Sequence, residues 1–133
     1  MIECLILGDS IAVGTAMYRP DCVSYSRGGW NSWQWNKDYL AHTITKPYET
    51  IIISLGANDH KGVKTEYELR KMREAIKGKR VFWILPANNE NAQHIIYLIA
   101  SDYRDGVLGI QKLSSDGIHP TSKEYKRMAE VTK

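Results

Sequence analysis

The sequence predicts an α/β protein, with an open, mostly parallel five-stranded sheet and helices on both faces. Three observations predict it. Short apolar runs at 2–7 (IECLIL), 50–55 (TIIISL) and 80–85 (RVFWIL) each stop at a glycine or proline. None of them alternates polar with apolar residues, so each suits a strand covered on both faces, as parallel strands are. Stretches with helical spacing lie between the runs, and alternation of this kind builds a layered α/β sheet.

Each element has its own signal. The first run ends at Gly8, where the chain turns from strand to helix. Residues 22–25 (CVSY) form a weaker strand. Asn31 offers a cap for a helix that Pro47 keeps from running far past His42. Behind the 50–55 strand, Thr65 and Glu68 have capping-box spacing, and Leu69, Met72 and Ile76 follow at helical intervals. After 80–85, residues 91–103 read as a helix capped by Asn91, although IIYLI alone would also suit a strand. Residues 107–110 (VLGI) supply a fifth strand. Thr121 and Glu124 repeat the capping signature before Tyr125, Met128 and Ala129.

Composition sets limits on function. With 133 residues, 43% hydrophobic and 25% charged, the chain reads as one ordinary globular domain over 1–133. No repeat or linker divides it. It holds no run of 18 apolar residues, which argues against a membrane-spanning helix. A net charge of +3 falls short of a nucleic-acid-binding face. The start, MIECLILGDS, lacks the basic region of a signal peptide, so the expected location at synthesis is the cytoplasm. Release by lysis or carriage in a larger assembly is compatible with this. Cys4 and Cys22 lack metal-ligand spacing and suit buried thiols in a reducing compartment, a single disulfide being the alternative.

Ligands of open α/β sheets sit outside the carboxyl ends of the strands. Four segments fall there: GDSIAVG from Gly8, Gly28-Gly29-Trp30-Asn31-Ser32, Gly56-Ala57-Asn58-Asp59, and Asp116-Gly117-Ile118-His119-Pro120. Together they supply a hydroxyl, backbone N–H donors, an amide, a carboxylate and an imidazole, which are the parts acyl transfer needs. Ser10 is the candidate nucleophile and His119 the base that would take its proton. Asp116, three residues before His119, can hold the imidazole Nδ1–H and leave Nε2 facing Ser10. Gly29, Asn58 and the Ser10 backbone N–H are candidate oxyanion donors. GDSIAVG is neither a Walker loop nor a dinucleotide fingerprint, and it lacks the G-x-S-x-G elbow, because position 12 is Ala12. Each segment alone is an ordinary turn or cap; the combination after four strands carries the signal.

That combination (GDS, the glycine block, GxND and DxxH) resembles the SGNH, or GDSL-like, hydrolase superfamily from Gly8 to His119. The resemblance implies a flavodoxin-like, three-layer α/β/α sandwich and a hydrolase acting on esters. It implies Ser10 as nucleophile and oxyanion donor, with further donors from the second-block glycine and Asn58. His119 would be the base and Asp116 its partner. Asp9 and Asp59 match positions that are usually supportive. Gly28 and Gly29 compete for the second donor, and Gly29 fits the pattern better. The chain is short for the superfamily, which favours a short acyl group.

The expected function is a serine esterase removing short acyl groups, acetyl foremost, from a small molecule or a carbohydrate. It would need no metal or organic cofactor and no nucleic-acid or membrane partner. Alternatives are thioesters or cell-wall glycans as substrates, or a non-catalytic carbohydrate- or protein-binding module. Substrate clues are weaker. Trp30, Asp9 and His60 are candidate contacts, and Tyr18 and Arg19 could border the cleft. Trp30, Trp33 and Trp35 crowd one segment and suit either helix-to-sheet packing or stacking on sugar rings. Trp83 suits the core. The basic run from Lys61 to Arg80 is interspersed with glutamates and reads as a solvated helix face, attraction of an anionic polymer being the alternative.

Overall fold

The computed structural model describes residues 2–43 and 46–133. Its elements alternate throughout: β1 (Ile2–Gly8), α1 (Ser10–Ala16), β2 (Val23–Ser26), α2 (Ser32–Thr43), β3 (Tyr48–Ser54), α3 (Thr65–Ala75), β4 (Gly78–Ile84), α4 (Glu90–Tyr103), β5 (Gly106–Leu108) and α5 (Ser122–Val131). The strands lie in the order β2-β1-β3-β4-β5, and every pairing is parallel. The order reverses direction between β1 and β3. That switch point is where an open α/β sheet leaves a crevice at its carboxyl edge.

Strand periodicity splits the core into two layers. Leu5, Leu7, Ile51, Ile53, Val81 and Trp83 face one side, where Trp35 of α2, Leu69 and Met72 of α3, and Ile96 and Ile99 of α4 cover them. Cys4, Ile6, Ile52 and Ile84 face the other, covered by Ile11 and Ala12 of α1 and Met128 of α5. Both sheet faces are therefore dry, which explains why the strand sequences do not alternate. Burying Trp35 and Trp83 completely requires partners for their indole N–H groups. Trp35 donates to the Tyr25 carbonyl at 2.8 Å, and Trp83 donates to Asp105 at 2.9 Å.

Several local expectations are corrected. Cys4 and Cys22 form a disulfide rather than remaining thiols, because parallel pairing of β1 with β2 brings their Cα atoms within 4.4 Å. Thr65 is the first residue of α3 rather than its cap, and Glu68 turns to the Asn36 amide at 2.8 Å instead of closing a capping box. Helix α4 starts one residue before Asn91, capped by Asn89, whose Oδ1 accepts from Ala92 N. Arg19 does not border the cleft. It is 4% exposed and binds Asp21, Thr132 and the Ala129 carbonyl beside α5. The basic run is not merely solvated, since Arg73 pairs with Asp105 through both carboxylate oxygens. The Asn31 cap is present and reciprocal: Asn31 Oδ1 accepts from Gln34 N and Gln34 Oε1 accepts from Asn31 N, both at 2.9 Å.

Candidate active site

The site forms where β1 and β3 end side by side. Gly8 and Ser54 are paired in register, and Asp9 N donates to the Ser54 carbonyl at 2.9 Å. The approach is so close that a Cβ on Gly8 would sit 1.8 Å from the Ser54 oxygen, and the φ of +141° is one only glycine adopts freely. Only glycine lets the chain turn here and present Ser10 as the first residue of α1.

Ser10 Oγ lies 2.7 Å from His119 Nε2. His119 Nδ1 lies 2.7 Å from Asp116 Oδ2. The two residues arrive on the loop from β5 to α5. That loop is closed by a Leu113–Pro120 bridge and by Ser114 N donating to the His119 carbonyl at 2.8 Å. Asp116 Oδ1 accepts from Ser114 Oγ, Ile118 N and His119 N. The two backbone N–H groups, followed by the His119 ring, hold the Asp116 carboxyl well below the usual carboxylate range. An ionised Asp116 only accepts, so His119 carries its proton on Nδ1 and offers the Nε2 lone pair to Ser10. The side chains of His119 and Asp116 are 38% and 47% exposed, so the imidazole–carboxylate end of the site is open to solvent.

The second and third blocks meet beside Ser10. A Cβ on Gly28 would lie 3.8 Å from Ser10 Cβ, whereas Gly29, at φ +78°, faces open space. Asn58 Nδ2 donates to the Trp30 carbonyl at 3.0 Å. One amide hydrogen is thereby engaged and the amide plane fixed, with the second hydrogen available to a ligand. Ser32 N and Oγ donate to the two oxygens of Asp59 at 2.8 and 2.6 Å, tying the start of α2 to the loop after β3. Asn89 extends the same scaffold by donating to the Gly56 and Asp59 carbonyls. Asn89 carries no signal in the sequence beyond standing at a helix start, and Ser32, though part of the second block, carries none for its tie to Asp59.

The candidate contacts separate. Asp9 is fully buried and has no surface for a substrate. Its Oδ1 accepts from Ile11 N and Ser54 Oγ, and its Oδ2 has no partner among the described residues. Burial, opposed by those bonds, pushes the Asp9 pKa up to about 6. Trp30 packs on Tyr39, with ring centroids 5.3 Å apart, under the Arg27 guanidinium, so its ring belongs to the helix–sheet contact. His60 is exposed and lines a groove with Asn31 and Trp33. Tyr18 stands under the Lys126 ammonium.

No family model matches the sequence, and no curated protein sequence is similar to it. Solved structures are similar in fold. A GDSL-like lipase from Bacteroides thetaiotaomicron superposes with a TM-score of 0.70 at 18% identity, covering 97% of this chain and 84% of that one. TesA gives 0.65 at 21% identity, over 96% and 94%. Axe2, an acetylxylan esterase from Geobacillus stearothermophilus, gives 0.61 at 15% identity, over 96% and 90%. A parallel sheet of this order, a serine opening α1 and an Asp-x-x-His loop before α5 thus sit on a fold shared with solved structures of a GDSL-like lipase, TesA and an acetylxylan esterase.

Proposed function

We propose that the chain is a serine ester hydrolase that removes short acyl groups, acetyl foremost, from the hydroxyl of a sugar or other small alcohol. The observation that carries this reading is the unbroken hydrogen-bonded line Ser10–His119–Asp116, with both links at 2.7 Å. A serine hydroxyl becomes nucleophilic only when a base takes its proton. Ser10 Oγ attacks the ester carbonyl carbon as its proton passes to His119 Nε2. Ionised Asp116 stabilises the imidazolium that forms. The carbonyl oxygen becomes an oxyanion, received by the Ser10 and Gly29 N–H groups and the second Asn58 amide hydrogen. Each such donor is worth about 3 kcal/mol in the transition state. The intermediate collapses, and the alcohol leaves with the proton from Nε2. Water then repeats the sequence on the acyl-enzyme and releases the acid. The preference for acetyl rests on the acetylxylan esterase among proteins of this fold.

The test is Ser10→Ala. Hydrolysis of p-nitrophenyl acetate should vanish in a variant that keeps its circular dichroism spectrum, and a fluorophosphonate probe should label the unmutated protein at Ser10. Undiminished turnover in the variant would refute the mechanism. A protein that neither turns over ester nor takes the probe would be a binding module instead.

A further inference from the structure

A groove of about 640 Å³ opens beside the proposed oxyanion loops. Asn31 directly follows Trp30 of the second block, and His60 directly follows Asp59 of the third, so the groove begins where those loops end. From there it runs between the first turns of α2 and α3. Trp33 and Tyr67 line it and are 49% and 60% exposed, in a protein whose Trp35 and Trp83 are fully buried. Two large rings left in water on either side of one groove are surfaces the fold did not use for its core. Flat aromatic faces of this kind match the apolar C–H faces of a pyranose ring.

Lys64 lines the groove, and Lys37 Nζ lies 5.2 Å from the Trp33 ring centroid. His60 also lines the groove, its Nδ1 accepting from Gly62 N at 3.0 Å. The one carboxylate in the lining, Glu68, is 7% exposed and turned to the Asn36 amide. Nearby Glu66 is paired with Arg70. Lys64 is therefore the exposed charged side chain among the residues that line the groove, and a solvent-facing ammonium beside two aromatic faces favours a ligand of the opposite sign.

We infer that this groove is the specificity subsite for a sugar unit bearing a carboxylate, gripped between Trp33 and Tyr67 with its acid group toward Lys64. Calling that sugar part of the substrate rests on the hydrolase reading; its binding does not. The subsite would select O-acylated acidic glycans over neutral ones while leaving the chemistry at Ser10 untouched.

The experiment is calorimetric titration of the full chain in its Ser10→Ala form, at low salt, with oligogalacturonate and with xylo-oligosaccharide of equal length. Oligogalacturonate should bind at least tenfold more tightly. Trp33→Ala and Tyr67→Ala, each in that background, should weaken it roughly tenfold or more, and Lys64→Glu should erase the preference for the acidic glycan. Trp33 and Tyr67 are exposed, so both variants should retain the parent circular dichroism spectrum, and each tests the groove independently. In the active enzyme, Trp33→Ala should raise KM for an acetylated acidic oligosaccharide and leave kcat within about twofold. The inference is overturned by an absence of glycan binding, by equal affinity for the two glycans, or by binding indifferent to both aromatic variants. It is equally overturned if the variants instead impair p-nitrophenyl esters of long acyl chains, which would make the groove an acyl pocket. Because the titrations need no turnover, a failed hydrolase reading and a failed subsite give different results.

Discussion

Ser32 grips Asp59 twice, through its backbone N–H at 2.8 Å and its hydroxyl at 2.6 Å, so that one carboxylate fastens the start of α2 to the loop after β3. The glycine block precedes Ser32 and Asn58 precedes Asp59. The clamp therefore sets the spacing between two of the proposed oxyanion donors, although neither of its residues touches the reacting atoms.

Asp59→Ala should accordingly impair catalysis without removing a catalytic group. Ser32 is fully buried and would be left with unsatisfied donors, at a cost of about 1–3 kcal/mol in stability. Loss of fixed donor spacing should lower kcat for p-nitrophenyl acetate roughly tenfold to a hundredfold, since preorganised donors act on the transition state. Steady-state kinetics beside urea unfolding would check both halves.

Asp116→Asn should be nearly isosteric, yet damaging to turnover. The backbone donors of Ile118 and His119 can still bond the amide oxygen. The amide nitrogen, facing His119 Nδ1, would favour the tautomer with its proton on Nε2, which cannot accept from Ser10. A fall in kcat of about 10²–10⁴ with little change in melting temperature is expected. Retention of more than a tenth of wild-type kcat would count against Asp116 as the orienting acid.

Asp9 links stability to pH. Its folded-state pKa of about 6 stands above the ordinary 3.8, so the folded protein binds a proton that the unfolded chain gives up. Stability should be lower above pH 6 and recover as the pH falls from 6 toward 4, by about 3 kcal/mol if the whole shift is realised. Asp9→Asn removes the buried charge and should be more stable than wild type at pH 8, with the difference vanishing near pH 4. Urea unfolding at pH 8 and pH 5 tests the sign, and a variant less stable than wild type at pH 8 would contradict it.

The disulfide closes a segment with a sequence separation of 18, and Ser10 and α1 lie inside it. A loop of that length constrains the unfolded chain by about 3 kcal/mol. Reduction of the wild type, or Cys4→Ala with Cys22→Ala, should lower unfolding stability by about that amount. The double variant should then be indifferent to reductant, which denaturation with and without dithiothreitol would show.

Much of this architecture was legible before any coordinates. The three central strands announced themselves because strands buried on both faces need continuous apolar sequence, and β1, β3 and β4 have it. The weak strands β2 and β5 lie at the sheet edges, where half-exposed residues blur the pattern. Two helix starts fall just before the caps the sequence suggests: α3 is entered from Lys64 with no side-chain cap, Thr65 being its first residue, and α4 is capped by Asn89, because Asn88, Asn89 and Asn91 crowd one turn and each is able to cap. Asp9 stands in the sequence as either a supportive residue or a substrate contact, because nothing in the residue itself tells a buried carboxylate from an exposed one.

The sequence by itself determined the order of elements and the chemical parts of the site: a hydroxyl, an imidazole and a carboxylate, each just past a strand or in the Asp-x-x-His loop. Those are local properties, written in apolar runs, turn glycines and residue type. Tertiary structure alone decided which groups meet. It brought Ser10 to His119 across 109 positions of chain, drew Cys4 to Cys22, sealed Asp9 from solvent, turned Trp30 inward, and left Trp33 and Tyr67 facing one groove. Such pairings depend on strand order and on which face of a helix the sheet covers, and no window of neighbouring residues contains that information.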